Sequence, residues 1–212
     1  MEMIKRKGLM FVLSSPSGAG KSSLSRELIK RFNDDLILSV SATTRKKRHN
    51  EIDGIDYFFV NHDEFNQMVK SNNVLEYAKV FEEYYATPKD YVLNNLAKGI
   101  DVLFDIDWQG ADSLVRQFPE DVVTIYILPP SLNELLNRLK TRASEDEEII
   151  NKRMSKAHSE ISHWEGYDYI IVNDDFENSL TEISCILRSQ RLKRERQIGM
   201  KGFVDSLLKE DL

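Results

Sequence analysis

Ser14-Ser15-Pro16-Ser17-Gly18-Ala19-Gly20-Lys21-Ser22-Ser23, entered from Leu9-Met10-Phe11-Val12-Leu13, decides how the chain is read. The apolar run carries β-branched and aromatic residues and reads as a buried parallel strand. Beyond the loop, Leu24, Leu28 and Phe32 recur at helical spacing, so a helix starts near Lys21. A strand, a small-residue loop and a helix N-terminus in that order form a cradle for phosphate. Backbone N–H groups turn inward and the helix dipole favours anions. Lys21 is placed to reach terminal phosphates, and Ser22 to hold a Mg2+ ion. The consensus is G-x-x-x-x-G-K-[ST]. Ser15 takes the place of its first glycine, while Gly18, Gly20, Lys21 and Ser22 are kept. A small-residue turn without a ligand is the bland alternative, and the flanking strand and helix argue against it.

Working outward, Leu36–Ser41, Ile100–Asp107, Val122–Leu128 and Asp168–Val172 read as four further strands. Helical patterns separate most of them, which predicts an α/β fold with a parallel sheet covered on both faces. Two segments stand outside that rhythm. From about 41 to 96 the pattern is mixed, with alternation near Ile55–Val60, a helix near Asp63–Ser71 and an extended piece near Leu75–Phe81. From about 131 to 164, Ser131 with Glu134 and Ser144 with Glu147 form two capping boxes. The first precedes Leu132, Leu135, Leu136 and Leu139. The second precedes Ile150, Met154, Ala157, Ile161 and Trp164. The polar link Thr141–Asp146 between these helices reads as part of a lid. The expected division is a core (about 1–40, 97–130 and 165–190), an inserted lobe (41–96), a lid (131–164) and a helical tail (188–212) within one domain.

Composition narrows the function classes. A chain of 212 residues with 41% hydrophobic and 30% charged residues can bury a core. Its net charge of -6 argues against a dedicated nucleic-acid binder. The single cysteine, Cys185, excludes an internal disulfide and a cysteine-built metal site, and its helical apolar surroundings assign it to core packing. No run is apolar enough to span a membrane. Lys5, Arg6 and Lys7 precede an apolar run, but that run enters the phosphate loop, which argues against a signal peptide. The expected location is the cytoplasm.

The lobe opens with Ser41-Ala42-Thr43-Thr44-Arg45-Lys46-Lys47-Arg48-His49-Asn50-Glu51. Arg45 and Arg48, three apart, can bring two guanidinium forks onto one phosphate. A solvated basic loop is an equal reading from these residues alone, and a five-residue basic run in an acidic chain supports a nucleic-acid patch poorly. The basic tail segment Arg188–Lys201 reads as a solvated helix end in preference to an RNA contact.

Taken in order, several motifs resemble those of guanylate kinases over about residues 9–190. They are the phosphate loop, Ser39-Val40-Ser41-Ala42-Thr43-Thr44-Arg45 with Arg48, Asp56-Tyr57-Phe58, Leu75-Glu76-Tyr77-Ala78 and Tyr84-Tyr85-Ala86-Thr87. Asp105-Ile106-Asp107-Trp108-Gln109-Gly110, Arg138 with Arg142, Asn151-Lys152-Arg153 and Ile171-Val172-Asn173-Asp174-Asp175 complete the series. The resemblance implies a P-loop three-layer fold with a GMP-binding lobe and a helical lid. It implies transfer of the ATP γ-phosphoryl group to GMP, and to dGMP, with Mg2+ as cofactor.

It also implies roles. Ser15, Pro16, Ser17, Gly18, Ala19, Gly20, Lys21, Ser22, Ser23, Arg138 and Asn173 would hold ATP. Ser41, Arg45, Arg48, Tyr57, Glu76, Tyr85, Thr87 and Asp107 would hold GMP. Within the second set Glu76 accepts the guanine N1–H and N2–H, Ser41 and Thr87 face O6, and the two arginines with Tyr57 and Tyr85 hold the phosphate. Adenine lacks that donor pair and would leave Glu76 unpaired, a mismatch that discriminates by roughly 10⁴-fold or more. Lys21, Arg48, Arg142 and Arg153 would be the catalytic cations, with Ser22 and, through water, Asp105 on the metal.

From spacing alone Glu76 reads as a surface carboxylate, and Arg138 and Arg142 could instead pair with the acidic run Glu145–Glu148. Beside Ser15, two departures from the family pattern stand out. Ala86 replaces a glycine, and Lys47 and Asn50 replace the proline and glycine of the arginine loop, which predicts a looser lobe. Two rival readings are a non-catalytic protein-binding relative of the same fold and a P-loop kinase with another acceptor. The intact set Lys21, Ser22, Asp105, Arg142 and Arg153, in a chain with no space for a neighbouring interaction domain, argues against the first. Glu76 and Ser41 argue against the second. Expected partners are ATP and GMP, without membrane or nucleic acid, and a homo-oligomer is left open.

Overall fold

The computed structural model describes residues 5–49, 51–80, 82–142 and 147–210. In chain order its elements are β1 (Met10–Ser14), α1 (Lys21–Phe32), β2 (Leu36–Leu38), β3 (Ala42–Thr43), β4 (Phe58–Phe59), α2 (His62–Lys70), β5 (Val74–Val80), β6 (Glu83–Pro88), α3 (Lys89–Ala97), β7 (Asp101–Asp105), α4 (Trp108–Gln117), β8 (Val122–Leu128), α5 (Leu132–Arg142), α6 (Glu147–Ile161), β9 (Tyr169–Val172), α7 (Phe176–Arg191) and α8 (Met200–Leu207).

The five strands expected of the core form one sheet in the order β2-β7-β1-β8-β9, and every pairing in it is parallel. Strand β1 explains both covering layers, because successive side chains point to opposite faces. Leu9, Phe11 and Leu13 pack with Leu24 and Leu28 of α1 and Leu180, Ile183 and Leu187 of α7. Met10 and Val12 pack with Val92 and Leu96 of α3 and Ala111 and Leu114 of α4. After β1 the chain fills one side of the sheet (β2, β7) and then the other (β8, β9). The crevice beyond the C-terminal end of β1 is therefore the topological switch point, where ligands of such sheets bind.

Four short strands form the second sheet, in the order β4-β3-β6-β5. β3 runs parallel to β4 and antiparallel to β6, and β5 and β6 form an antiparallel pair. The expected strand Leu36–Ser41 is cut short at Leu38, and the chain crosses into this second sheet at Ala42. Helix α2 is closed by a reciprocal cap in which Asn61 accepts from the Glu64 N–H and Glu64 from the Asn61 N–H. The stretch 41–96, read as lobe, ends in a helix that packs on the core, since Val92 and Leu96 of α3 are buried beneath β1 and β7.

In the segment read as lid, Leu135, Leu139, Ile150 and Ala157 make a small cluster of their own. Ser131 caps α5 by accepting from the Glu134 N–H at 3.1 Å. Ser144 of the second expected box, and Asn50 of the lobe, lie outside the described residues. Trp164 leaves the helical face: α6 ends at Ile161, and Trp164 sits half-exposed in a following turn. Cys185 is exposed, contrary to the core role read from its neighbours. Leu180, Ile183 and Leu187 set the buried face of α7, and Cys185 falls off that stripe.

Candidate functional site

The phosphate loop leaves β1 with Ser14 and returns to helical backbone at Lys21. Gly18 and Gly20 have φ of 95° and 103°, a region that disfavours any residue with a Cβ. At Gly20 a Cβ would lie 2.4 Å from Asn173 Nδ2. That amide instead donates to the Ala19 carbonyl at 2.7 Å, and the Asn173 carbonyl accepts from Arg138 at 3.1 Å. Asn173, buried at the end of β9, thus braces the inside of the loop and ties it to α5. Gly18 lies against Leu135 and Leu139 of the same helix. Ser15 donates to the Pro16 carbonyl at 2.9 Å. Arg138 pairs with Glu134 at 2.8 Å, and the side chains of the acidic run Glu145–Glu148 lie outside those that the structure describes.

Lys21 forms an ion pair with Asp105, the last residue of β7. Burial pulls its ammonium down to about 8, against the opposing pull of Asp107 and Glu160. Lys21, Ser22 and Asp105 line a cavity of about 320 Å3 together with Ser41, Tyr57, Glu76, Tyr85 and Asp107. An adjoining cavity of about 480 Å3 shares Ser22, Ser41, Tyr57 and Asp105 and adds Arg48 and Glu51. The residues read as phosphate-binding and those read as base-binding therefore face each other across one cleft.

Glu76, from β5, is 5% exposed. Thr87 of β6 donates to its Oε1 at 2.6 Å, and its Oε2 lies against Gly110, where a Cβ would come within 3.0 Å. Burial, opposed by the Thr87 hydrogen bond and reinforced by Asp107, raises its carboxyl to about 7. Thr87, read as facing O6, is wholly buried, and its hydroxyl donates to Glu76 and so orients the carboxylate. Ala86, in place of the family glycine, pairs with Ala42 of β3 and with Tyr77 of β5, next to a shift in the β5–β6 register. Asp107 caps α4, accepting from the Gly110 N–H at 3.0 Å.

The two lobe arginines are held differently. Arg45 donates to Glu51 at 2.6 Å and lies over the Tyr57 and Phe59 rings. The other Glu51 oxygen accepts from the Arg48 N–H at 2.8 Å. The Arg45 hydrogen bond holds the Glu51 carboxyl below the usual range, and the same bond raises the Arg45 guanidinium. Tyr57 and Tyr85 meet edge to face, with ring centres 5.9 Å apart. Glu51 went unmarked as a site residue in the sequence reading, although its place at the end of the arginine loop was a usable signal. Arg153 is half-buried on α6, and Arg142 closes α5 with its side chain outside the described residues.

Among the described residues no cluster of three or more His, Cys, Asp or Glu could hold a metal. None of their helices is long and apolar enough to cross a membrane.

Comparison with known proteins fits this geometry. The sequence model described as guanylate kinase matches residues 7–190. Guanylate kinase of Zymomonas mobilis is 52% identical over 205 residues, covering 97% of this chain and 94% of its own. That of Ehrlichia chaffeensis is 48% identical over 208 residues, covering 98% and 99%. The crystal structure of guanylate kinase from Anaplasma phagocytophilum superposes with a TM-score of 0.80 at 37% identity, covering 99% of this chain and all of that one.

Proposed function

The chain belongs to the guanylate kinase family, and on that premise we propose how its cleft transfers the γ-phosphoryl group of ATP to GMP. The observation that carries the reading is Glu76, a buried carboxylate fixed by Thr87 in the same cavity as Lys21 and Asp105. Guanine offers two adjacent N–H donors, and a carboxylate held rigid on one edge accepts both. The GMP phosphate then falls toward Arg48 and Tyr57, with Arg45 and Tyr85 beside them. Glu51 sets the arginine loop by binding Arg45 and the backbone of Arg48 at once.

On the donor side the loop from Ser15 to Ser23 takes the ATP phosphates. Asn173 and Arg138 brace it, and Lys21 shifts from Asp105 to the transferring group. The donor set Ser22 and Asp105 is hydroxyl and carboxylate, which suits Mg2+ completed by phosphate oxygens and water. Ser22 and, through water, Asp105 would hold that ion, which would supply neutralisation of phosphate charge. A GMP phosphate oxygen attacks the γ-phosphorus as its bond to the bridging β-oxygen breaks, giving GDP and ADP. The acceptor is already an anion, so no general base is required. Alignment and charge neutralisation supply the rate, with Arg142 and Arg153 brought in as α5 and α6 close. Arg142→Ala and Arg48→Ala are each expected to lower kcat by about 10²-fold or more. Steady-state assays at saturating ATP test this, and near-normal turnover by Arg142→Ala would remove the lid from the mechanism.

A further inference from the structure

Glu160, near the end of α6, does something no motif marks. Its Oε2 accepts the backbone N–H of Ser17 at 3.2 Å, so a carboxylate sits on the phosphate loop. The backbone around it is pinned, because the Tyr126 hydroxyl donates to the Glu160 carbonyl at 2.6 Å. Three residues on, His163 stacks on Trp108 with ring centres 3.6 Å apart. The side chain itself has room. It borders a cavity of about 260 Å3 that also touches Ser15, Asp107, Trp108 and Lys156. Lys156 stands four residues earlier on the same helix, the spacing at which a glutamate and a lysine pair. Burial raises the Glu160 carboxyl, while the Ser17 N–H, Lys156 and Lys21 favour its charge.

We propose that Glu160 is a built-in competitor of the donor nucleotide: its carboxylate holds the Ser17 N–H and must swing toward Lys156 when the ATP phosphates enter the loop. A carboxylate and a phosphate oxygen ask for the same backbone donor, and both are drawn by Lys21. The exchange places an event of the loop on the lid helix, so that donor binding frees the element that carries Arg153. The inference rests on the reading of the loop as the ATP-phosphate site.

Calorimetric titration of the full chain with Mg2+ and a non-hydrolysable ATP analogue, beside GMP, tests it. Glu160→Gln keeps the size but exchanges a charged acceptor for a neutral amide oxygen, and is expected to tighten analogue binding by about fivefold, roughly the difference between a charge-assisted and a neutral hydrogen bond. The Kd for GMP should move less than about twofold, since Glu160 does not line the cavity around Glu76. Glu160→Asp, one methylene shorter, should act in the same direction. In amide-resolved NMR the Ser17 N–H should shift on analogue addition to the wild type and start displaced in Glu160→Gln. Unchanged or weaker analogue binding by both variants would overturn the proposal and make Glu160 a support of the loop. Failure of the wild type to bind the analogue at millimolar concentration would instead overturn the reading of the loop, and the proposal with it.

Discussion

Glu76 answers to two opposed demands. The proposed recognition of guanine needs its charge, and burial penalises that charge, raising the carboxyl from 4.5 to about 7. As pH falls from 8 to 6 the protonated fraction grows, and a protonated Glu76 turns one acceptor into a donor facing the guanine donors. The KM for GMP is therefore expected to rise by about tenfold over that range at constant saturating ATP, and Glu76→Gln to lose this slope along with most GMP affinity. The stability sign follows from the same shift. Between 4.5 and about 7 the folded state holds more protons than the unfolded one, so rising pH through that window costs stability. Glu76→Gln should accordingly melt a few degrees higher than the wild type at pH 8, reflecting about 1–3 kcal/mol, and no higher at pH 4. An equal melting point at pH 8 would mean that the carboxylate is not paying a burial cost in solution.

At the scale of elements, the phosphate loop is held from inside by β9 as much as by its own glycines. Gly20→Ala forces a Cβ into Asn173 at a φ of 103° and so breaks the Asn173–Ala19 bond. We expect a loss of about 1–3 kcal/mol in thermal stability and at least a tenfold rise in KM for ATP, with KM for GMP little changed. Equal losses toward both substrates would show that the loop is not braced independently of the lobe. The strand, loop and helix of this element were legible because a continuous apolar run, two glycines and a helical repeat are all local signals. So were the other core strands. Strand β4 lies within the alternation read at Ile55–Val60, but β3 was not legible, since two residues carry no period. β6 was not because Tyr84-Tyr85-Ala86-Thr87 shows no alternation of polarity, and only its pairing with β5 makes it a strand. The residues read as base-binding and phosphate-binding, many of which line one cleft, came from motifs in register. Their wiring did not: Asn173 on Ala19, Thr87 on Glu76 and Glu160 on Ser17 are contacts across 154, 11 and 143 residues. On the polar side of a helix, Glu160 looks like any solvated glutamate.

Across the whole molecule, chemistry and anchorage occupy opposite ends of the parallel sheet. Ser14 and Asp105 end their strands at the cleft, whereas Asp101 begins β7 at the far side. Asp101 is fully buried and accepts from Arg6 at 2.6 and 3.1 Å, from Arg191 at 2.6 Å and from the Leu9 N–H at 2.9 Å. One carboxylate thus joins the strand that precedes the phosphate loop to the end of α7. Asp101→Asn weakens the charge-assisted hydrogen bonds of the half-buried Arg6 and Arg191 and should cost about 2–3 kcal/mol in denaturant unfolding, with kcat and both KM values at 25 °C within about twofold of wild type. A large change in kcat without loss of stability would contradict this division of the molecule.

The most direct test of the whole account is ADP release from ATP and Mg2+ with GMP, AMP, CMP or UMP as acceptor. The cleft described here predicts turnover with GMP and dGMP and, with AMP, a kcat/KM lower by roughly 10⁴-fold. Comparable turnover with AMP, CMP or UMP would keep the kinase and contradict the reading of guanine by Glu76. No turnover with any acceptor, in folded protein, would contradict the phosphoryl-transfer mechanism itself.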